Sequence, residues 1–472
     1  MAIDAVIVAA RWVPDVSSRS DRADLPRVAR LALRAEDGSE DREPMSVRGS
    51  SRTVAETVER IVGPDLPIAV ETYDGGRIGP SDAPVTLVVR SPDALRRILT
   101  APGELGVGRA YVAGDIDVEG DIYAALAALR ERLPRVRLGP VRLMEVAALL
   151  GAGGLRPLPP PREEAGLRGR RHSRSRDAQA IAHHYDVSNR FYELVLGPSM
   201  TYSCGLWSSP RATLEEAQAA KYELICRKLD LREGMRLLDV GCGWGGMAAH
   251  AATHHGVDAV GVTLSWGQAE WAQKAVADAG LADRVDIRLQ DYRDVRDGPF
   301  DGISSIGMFE HVGLRNLGLY FRGMRRLLRP GGRMLNHGIS RPARPGSRTR
   351  GGAPFTPPRL ARRSFVDRYV FPDGELHEVG IVVSTMQSAG FEVRHLESLR
   401  EHYALTLRAW VANLERNWQE AVAEAGAARA RIWRLYMAAS ALNFETGRTQ
   451  VHQVLAVRSD RGRSGMPLRP AF

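Results

Sequence analysis

The sequence predicts an α/β protein: a larger domain built on a mostly parallel sheet, preceded by a smaller α+β domain. Three observations point there. From about residue 235 onward, short apolar and β-branched runs alternate with helix-length amphipathic stretches, the pattern of a parallel sheet with right-handed crossovers. The first of those runs empties into a glycine-rich turn, Leu237–Gly246 (LLDVGCGWGG), that opens a helix. The chain has 472 residues, which at roughly 100–200 per domain gives room for two or three domains.

Residues 1–50, rich in Arg, Asp and Ser, are expected to form a poorly ordered arm, with a short basic amphipathic helix across Leu25–Ala35. A globular pattern fills 51–150. Within it Pro84–Arg90 clusters β-branched residues between turn formers and reads as a strand. Asp93–Leu99 and Asp121–Leu133 read as helices, and the glycine- and acid-rich Gly106–Gly120 as a loop. Residues 151–177 combine Gly, Pro and Arg and predict an extended, mobile linker, either a plain tether or a contact for anionic head groups.

The larger domain spans 178–458. Its expected strands are Met235–Val240, Ala259–Thr263, Val285–Leu289, Gly302–Ile306 and Arg333–His337. Its expected helices are Trp244–Thr253, Ser265–Ala279 and Leu317–Leu328. Beyond a basic loop, Arg341–Arg363, come Val379–Ala389, Leu405–Ala425 and Ala428–Thr446. Residues 459–472 read as a frayed tail.

Composition narrows the function classes. A hydrophobic content of 44% excludes wholesale disorder. The three cysteines, Cys204, Cys226 and Cys242, form no CxxC pair, which argues against a disulfide framework and a CxxC metal site, so no metal is expected. The start lacks a basic segment and a small-residue cleavage site, and no run reaches about 18 apolar residues. A cytoplasmic protein is expected, with any membrane contact peripheral. Lys plus Arg exceeds Asp plus Glu, 65 to 56, for a formal +9. That balance suits a nucleic acid or an acidic membrane surface, and also follows from simple preference for Arg.

The glycine turn carries the sharpest chemistry. Glycines let backbone approach a ligand, and a helix N-terminus offers unpaired N–H groups. Gly241, Gly243 and Gly246 satisfy dinucleotide spacing, yet the second strand ends in Thr263-Leu264-Ser265, with no carboxylate for a ribose. Asp239 directly before the glycines is instead the habit of S-adenosylmethionine sites. A third strand ends in Gln290-Asp291-Tyr292-Arg293, where Asp291 would meet the adenine amino group and Tyr292 its ring.

Eight ordered stretches across 178–457 resemble the cyclopropane-fatty-acyl-phospholipid synthase family: HYDVSNRFY (184–192), MTYSCGLW (200–207), LLDVGCGWGG (237–246), VGVTLSWGQ (260–268), LQDYRD (289–294), GMFEHVG (307–313), NHGIS (336–340) and EHYALTLRAW (401–410). GVGRAYVAGDIDVEGDIY (106–123) is similar to the family's lipid-facing N-terminal domain. The resemblance implies a class I S-adenosylmethionine-dependent methyltransferase fold with a seven-stranded sheet.

It also implies a cofactor site, residue by residue. Tyr202 and Ser203 touch the methionine. Leu237, Leu238, Asp239, Val240, Gly241, Cys242, Gly243, Trp244 and Gly245 pass under methionine and ribose. Thr263, Leu264, Ser265 and Gln268 hold the ribose, and Gln290, Asp291, Tyr292 and Arg293 line the adenine pocket. A bicarbonate ion is implied as base, held by Glu310, His337 and Tyr403, with Cys204 and Ile339 contributing backbone groups.

An alkene is a weak nucleophile, so the sulfonium methyl must be held in line with it, and the resulting carbocation must be kept dry until it loses a proton. Loss from the new methyl closes a cyclopropane. A hydride shift and loss elsewhere leaves a methylene branch, which a separate reductase would saturate.

The implied substrate is an unsaturated phospholipid at an anionic membrane surface, on the inner face of the cell membrane, and the implied assembly a homodimer. Some bacterial members carry a Cys in the penultimate helical segment. Ser440 stands at that position here, which removes a covalent cysteine route. A nucleic-acid methyltransferase is disfavoured, and no nucleic acid is expected as partner, because the segment after the fourth strand reads SIGMFEHVG rather than Pro-Pro-aromatic. A noncatalytic lipid binder is disfavoured by the intact glycine turn.

Overall fold

Thr53 and Glu56 cap each other's backbone N–H groups, and this capping box starts helix α1 (Val54–Val62). The computed structural model describes residues 53–63, 66–132, 150, 156–166, 169–185, 187–343 and 364–472. The expected arm over 1–50 with its Leu25–Ala35 helix, parts of the linker and most of the Arg341–Arg363 loop lie outside them.

Next come strands β1 (Ala69–Thr72), β2 (Arg77–Ile78) and β3 (Val85–Val89), helices α2 (Asp93–Thr100) and α3 (Glu104–Ala113), strand β4 (Ile116–Gly120) and helix α4 (Ile122–Arg132). The strands form a sheet of order β2–β1–β3–β4 in which β1 and β3 run parallel.

The predicted loop Gly106–Gly120 is thus a helix followed by a strand. Its glycines serve packing: a Cβ on Gly108 would sit 2.4 Å from the Phe365 ring. The described part of the linker is also no free tether. Arg109 makes two hydrogen bonds to Glu164, each 2.8 Å, and Ala165 N–H donates to Arg368 O. Two of the linker arginines read as head-group contacts are held by acids: Arg171 pairs with Asp367 and Asp373, and Arg176 with Asp373.

The larger domain follows as α5 (Arg174–Tyr185), α6 (Asn189–Leu196), α7 (Leu214–Leu229), β5 (Arg236–Val240), α8 (Gly246–His255), β6 (Asp258–Thr263), α9 (Trp266–Asp278), β7 (Val285–Leu289), β8 (Phe300–Ile306), α10 (Leu314–Leu327) and β9 (Leu328–Ser340). After the undescribed stretch come α11 (Phe365–Tyr369), α12 (Val379–Ser388), β10 (Glu392–Ser398), α13 (Arg400–Arg416), α14 (Trp418–Ala425), α15 (Ala427–Glu445) and β11 (Gln450–Val457). The seven strands order as β10–β11–β9–β8–β5–β6–β7, and β11 alone among them runs antiparallel to its neighbours.

The strand order reverses beside β5, which opens a crevice at the carboxyl ends of the strands. Two apolar clusters cover the sheet faces. A third, rich in aromatic rings, joins α3 and α4 to α6, α13 and α15 through Leu105, Tyr111, Ile122, Phe191, Trp410 and Trp433.

β10 and β11 were not expected, and the single helix expected over Leu405–Ala425 is broken at Asn417. Nor is the tail frayed: Met466 and Phe472 pack against a core cluster, the Phe472 ring 5.1 Å from His395. Among the described residues no helix is long and apolar enough to cross a membrane.

Candidate active site

β5 is fully buried from Leu237 to Val240, because β6 and β8 flank it and helices cover both faces. Where it ends, Gly241 and Gly243 take positive φ (75° and 56°), and the N–H groups of Gly241 and Cys242 turn back to Val262 O. Gly246 then opens α8 against Tyr222, whose hydroxyl lies 2.4 Å from where a Cβ would stand. Asp239 accepts a 2.7 Å hydrogen bond from Ser304, and burial pushes its carboxyl up to about 6. At the end of β6 the Thr263 hydroxyl donates to Gln268 Oε1 (2.9 Å), while Ser265 caps α9.

A charged side chain closes this end. Lys221, fully buried on α7, donates to Ser203 Oγ at 3.0 Å and stands 3.8 Å above the Tyr222 ring. Burial pulls its ammonium down to about 7, against the smaller opposing pull of Cys204 and Asp239.

A single cavity of about 440 Å³ runs from the glycine turn to the aromatic cluster. At its far end Tyr202 stacks 5.2 Å from Trp410, and Tyr403 lies 4.7 Å from Phe444. Glu310 sits there on a short turn, Phe309–His311, 6% exposed. Its Oε1 accepts the Ile339 N–H at 2.6 Å, its Oε2 is buried without a hydrogen bond, and burial pushes the carboxyl up to about 7.

His337 lies two residues before Ile339 on β9. Gln453 Nε2 donates to its Nδ1 at 3.2 Å, which leaves the proton on Nε2, a buried atom with no hydrogen-bond partner. Burial and nearby Lys221 and Lys228 pull this imidazole down to about 3, so it is neutral. The Cys204 thiol is pushed up by burial, and its sulfur rests 3.2 Å from Gly205 O.

The cavity gathers Tyr202, Ser203, Asp239, Val240, Gly241, Cys242, Gly243, Trp244, Thr263, Leu264, Gln268, Gln290 and Tyr292 from the predicted cofactor set, and Glu310, Ile339 and Tyr403 from the predicted catalytic set. Leu237, Leu238, Gly245, Ser265, Asp291, Arg293, Cys204 and His337 are not on its wall. Asp291 and Arg293 are instead tied to each other at 2.6–3.0 Å, with Asp177 beside Arg293.

The wall also holds residues that the sequence reading passed over: Lys221, Tyr222, Phe371 and Tyr436. For Lys221 a signal existed. Leu214, Ala217, Gln218, Leu224 and Ile225 mark the buried stripe of α7, and Lys221 falls on the same stripe at helical spacing.

Residues 172–454 match the mycolic acid cyclopropane synthetase family. The chain is 48% identical to the probable fatty acid methyltransferase Rv3720 of Mycobacterium tuberculosis, over 86% of this chain and 94% of the relative. It is 32% identical to the cyclopropane-fatty-acyl-phospholipid synthase of Escherichia coli K12, over 80% of this chain and 88% of the relative. The crystal structure of mycolic acid cyclopropane synthase CmaA1, complexed with SAH and CTAB, superposes with a TM-score of 0.55 at 35% identity, covering 59% of this chain and 97% of that one. With its mostly parallel seven-stranded sheet and glycine turn, the chain belongs to the mycolic acid cyclopropane synthetase family of S-adenosylmethionine-dependent fatty acid methyltransferases and cyclopropane synthases.

Proposed function

We propose that the chain transfers a one-carbon unit from S-adenosylmethionine to the cis double bond of an unsaturated phospholipid acyl chain, giving a cyclopropane or a mid-chain methylene group. One observation carries this reading: a single cavity joins the glycine turn to aromatic walls that end at a buried, half-satisfied carboxylate, Glu310. The bound donor supplies an electrophilic methyl. Tyr202, Ser203 and Lys221 hold its methionine end, Thr263 and Gln268 its ribose, and Gln290 and Tyr292 its adenine. Tyr202, Phe371 and Tyr436 keep water from the acyl end and offer ring faces to positive charge there.

Glu310 Oε2 accepts and His337 Nε2 donates, and both are buried and unpartnered. Bicarbonate, an ion that gives and takes hydrogen bonds, suits Glu310 Oε2 on the cavity wall, with Tyr403 beside it and His337 Nε2 as a donor from behind that wall. In this reading a proton leaves the substrate at the Glu310 end. The small domain docks on the catalytic helices and presents the enzyme, as a homodimer, to the anionic inner face of the membrane. A methylene product requires a separate reductase to become a methyl branch.

The test is incubation of the protein with labelled S-adenosylmethionine and dioleoyl phosphatidylglycerol vesicles, in buffer with and without bicarbonate. Label enters the lipid, uptake falls when bicarbonate is stripped, and proton NMR of the extract shows either cyclopropane or exomethylene signals. Absence of label from the acyl chains sinks the proposal.

A further inference from the structure

Away from the cavity, α7 and α8 bring together three side chains with the chemistry of a metal centre, and a fourth lies against two of them. Cys226, His250 and His255 offer one donor atom each, all within 4.8 Å of one another. Glu223, three residues before Cys226 on α7, sets its Oε2 at 3.0 Å from His255 Nε2 and 3.5 Å from His250 Nε2. Cys226 is fully buried. The two imidazole side chains are 13% and 19% exposed, and Glu223 at 41% closes the solvent side. His250 Nε2 is buried with no hydrogen bond, since Glu223 does not complete one.

We propose that Cys226, His250, His255 and Glu223 bind one zinc(II) ion that staples α7 to α8. The donor set is one thiolate, two imidazoles and one carboxylate, the mixture zinc accepts in four-coordinate tetrahedral sites. Ligand bonds of about 2.0–2.1 Å to nitrogen and oxygen give a tetrahedral edge of roughly 3.3 Å. The two carboxylate–imidazole separations, 3.0 and 3.5 Å, bracket that edge. The sulfur–nitrogen edges of such a site are roughly 3.6 Å for a zinc–sulfur bond of about 2.3 Å. From 4.8 Å at most, the Cys226, His250 and His255 donors close on one another by no more than roughly 1.5 Å. On binding, Cys226 gives its thiol proton to water and the sulfur ligates as thiolate, while both imidazoles ligate neutral.

The location explains what such a staple does. α8 begins at Gly246, the last residue of the glycine turn, and α7 carries Lys221 and Tyr222 on the cavity wall. The Tyr222 ring lies 5.6 Å from the His250 ring and its hydroxyl 2.7 Å from Thr201. An ion between α7 and α8 therefore fixes the spacing of two walls of the cofactor end without touching it. Its ligands escape notice in the sequence because they lie at i, i+3 on one helix and i, i+5 on the next, with no CxxC pair.

The test uses the full chain, stripped with a chelator and titrated with cobalt(II), then zinc(II). One equivalent of cobalt gives tetrahedral d–d bands and a near-ultraviolet thiolate-to-metal charge-transfer band, and zinc displaces both. Zinc raises the Tm of the unmodified chain. Cys226→Ser loses the charge-transfer band, and His255→Gln, at the more exposed edge, weakens binding at least tenfold by the loss of one ligand. If Cys226→Ser fails to fold, His255→Gln and the cobalt spectrum of the unmodified chain decide alone. No charge-transfer band in the unmodified chain, or full affinity retained in His255→Gln, overturns the proposal.

Discussion

The two ends of the cavity are built on opposite principles. At the glycine turn nearly every polar side chain already has a partner within the protein: Asp239 with Ser304, Thr263 with Gln268, Lys221 with Ser203. At the aromatic end Glu310 Oε2 is buried and unpartnered, and so, off the cavity wall, is His337 Nε2. Leaving such groups unpaired costs about 1–3 kcal/mol each, and more when charged. A paired end is preorganised to hold a ligand of fixed shape. An unpaired end keeps hydrogen-bonding capacity in reserve, which the proposed function assigns to a proton and its carrier.

The largest effect is expected from breaking the unpaired end. Glu310→Gln keeps the shape and removes the acceptor charge, so kcat should fall by about 10²–10⁴ while donor affinity, read by calorimetry, stays the same. Because burial raises the Glu310 carboxyl from 4.5 to about 7, turnover should climb as pH rises through about 7, the range in which the carboxylate forms. Stability moves the other way. A raised carboxyl stabilises the fold below pH 4.5 and loses that contribution as pH rises to about 7, a difference on the order of 3 kcal/mol. Thermal melts should therefore show Glu310→Gln gaining on the unmodified protein across that window.

The paired end breaks differently. Gly246→Ala drives a methyl into the Tyr222 hydroxyl, an overpacking that costs about 1–3 kcal/mol, and should lower both Tm and donor affinity. Lys221→Met removes the buried ammonium while keeping the stem. The Kd for S-adenosylhomocysteine should rise about tenfold, the order expected for a hydrogen bond to a charged group, with kcat little changed. The smallest effect belongs to Ser440→Cys on the cavity wall, where the rate should shift by less than about threefold, under ~1 kcal/mol, because no step runs through that position.

How far each end was legible in the sequence follows from the same contrast. The glycine turn announces itself because tight turns and close approach leave few choices of residue, and strands β5 to β8 are short segments rich in Val, Leu and Ile, each followed by a turn or a helix-length stretch. β11 does not stand out, because its interior faces a polar network: Gln453 bonds Lys228 and His337, and His452 bonds Ser340. Those buried polar residues break the apolar pattern of a central strand. β10 is a half-exposed edge strand with hardly more signal. α3 was read as a loop because its glycines look like turn formers, although Gly108 is there to admit the Phe365 ring. Glu310, Ile339 and Tyr403 came from family motifs; spacing alone would not have joined residues so far apart along the chain.

The place of β11 has a consequence for the life of the chain on the ribosome. β9, which carries His337 and Ile339, keeps one edge open until residues 450–457 arrive to slide between it and β10. Synthesis must therefore pass residue 457 before β9 gains its second neighbour and this wall of the cavity can close. A nascent chain halted earlier would hold a finished glycine turn beside an adhesive, half-built sheet, an obvious target for chaperones.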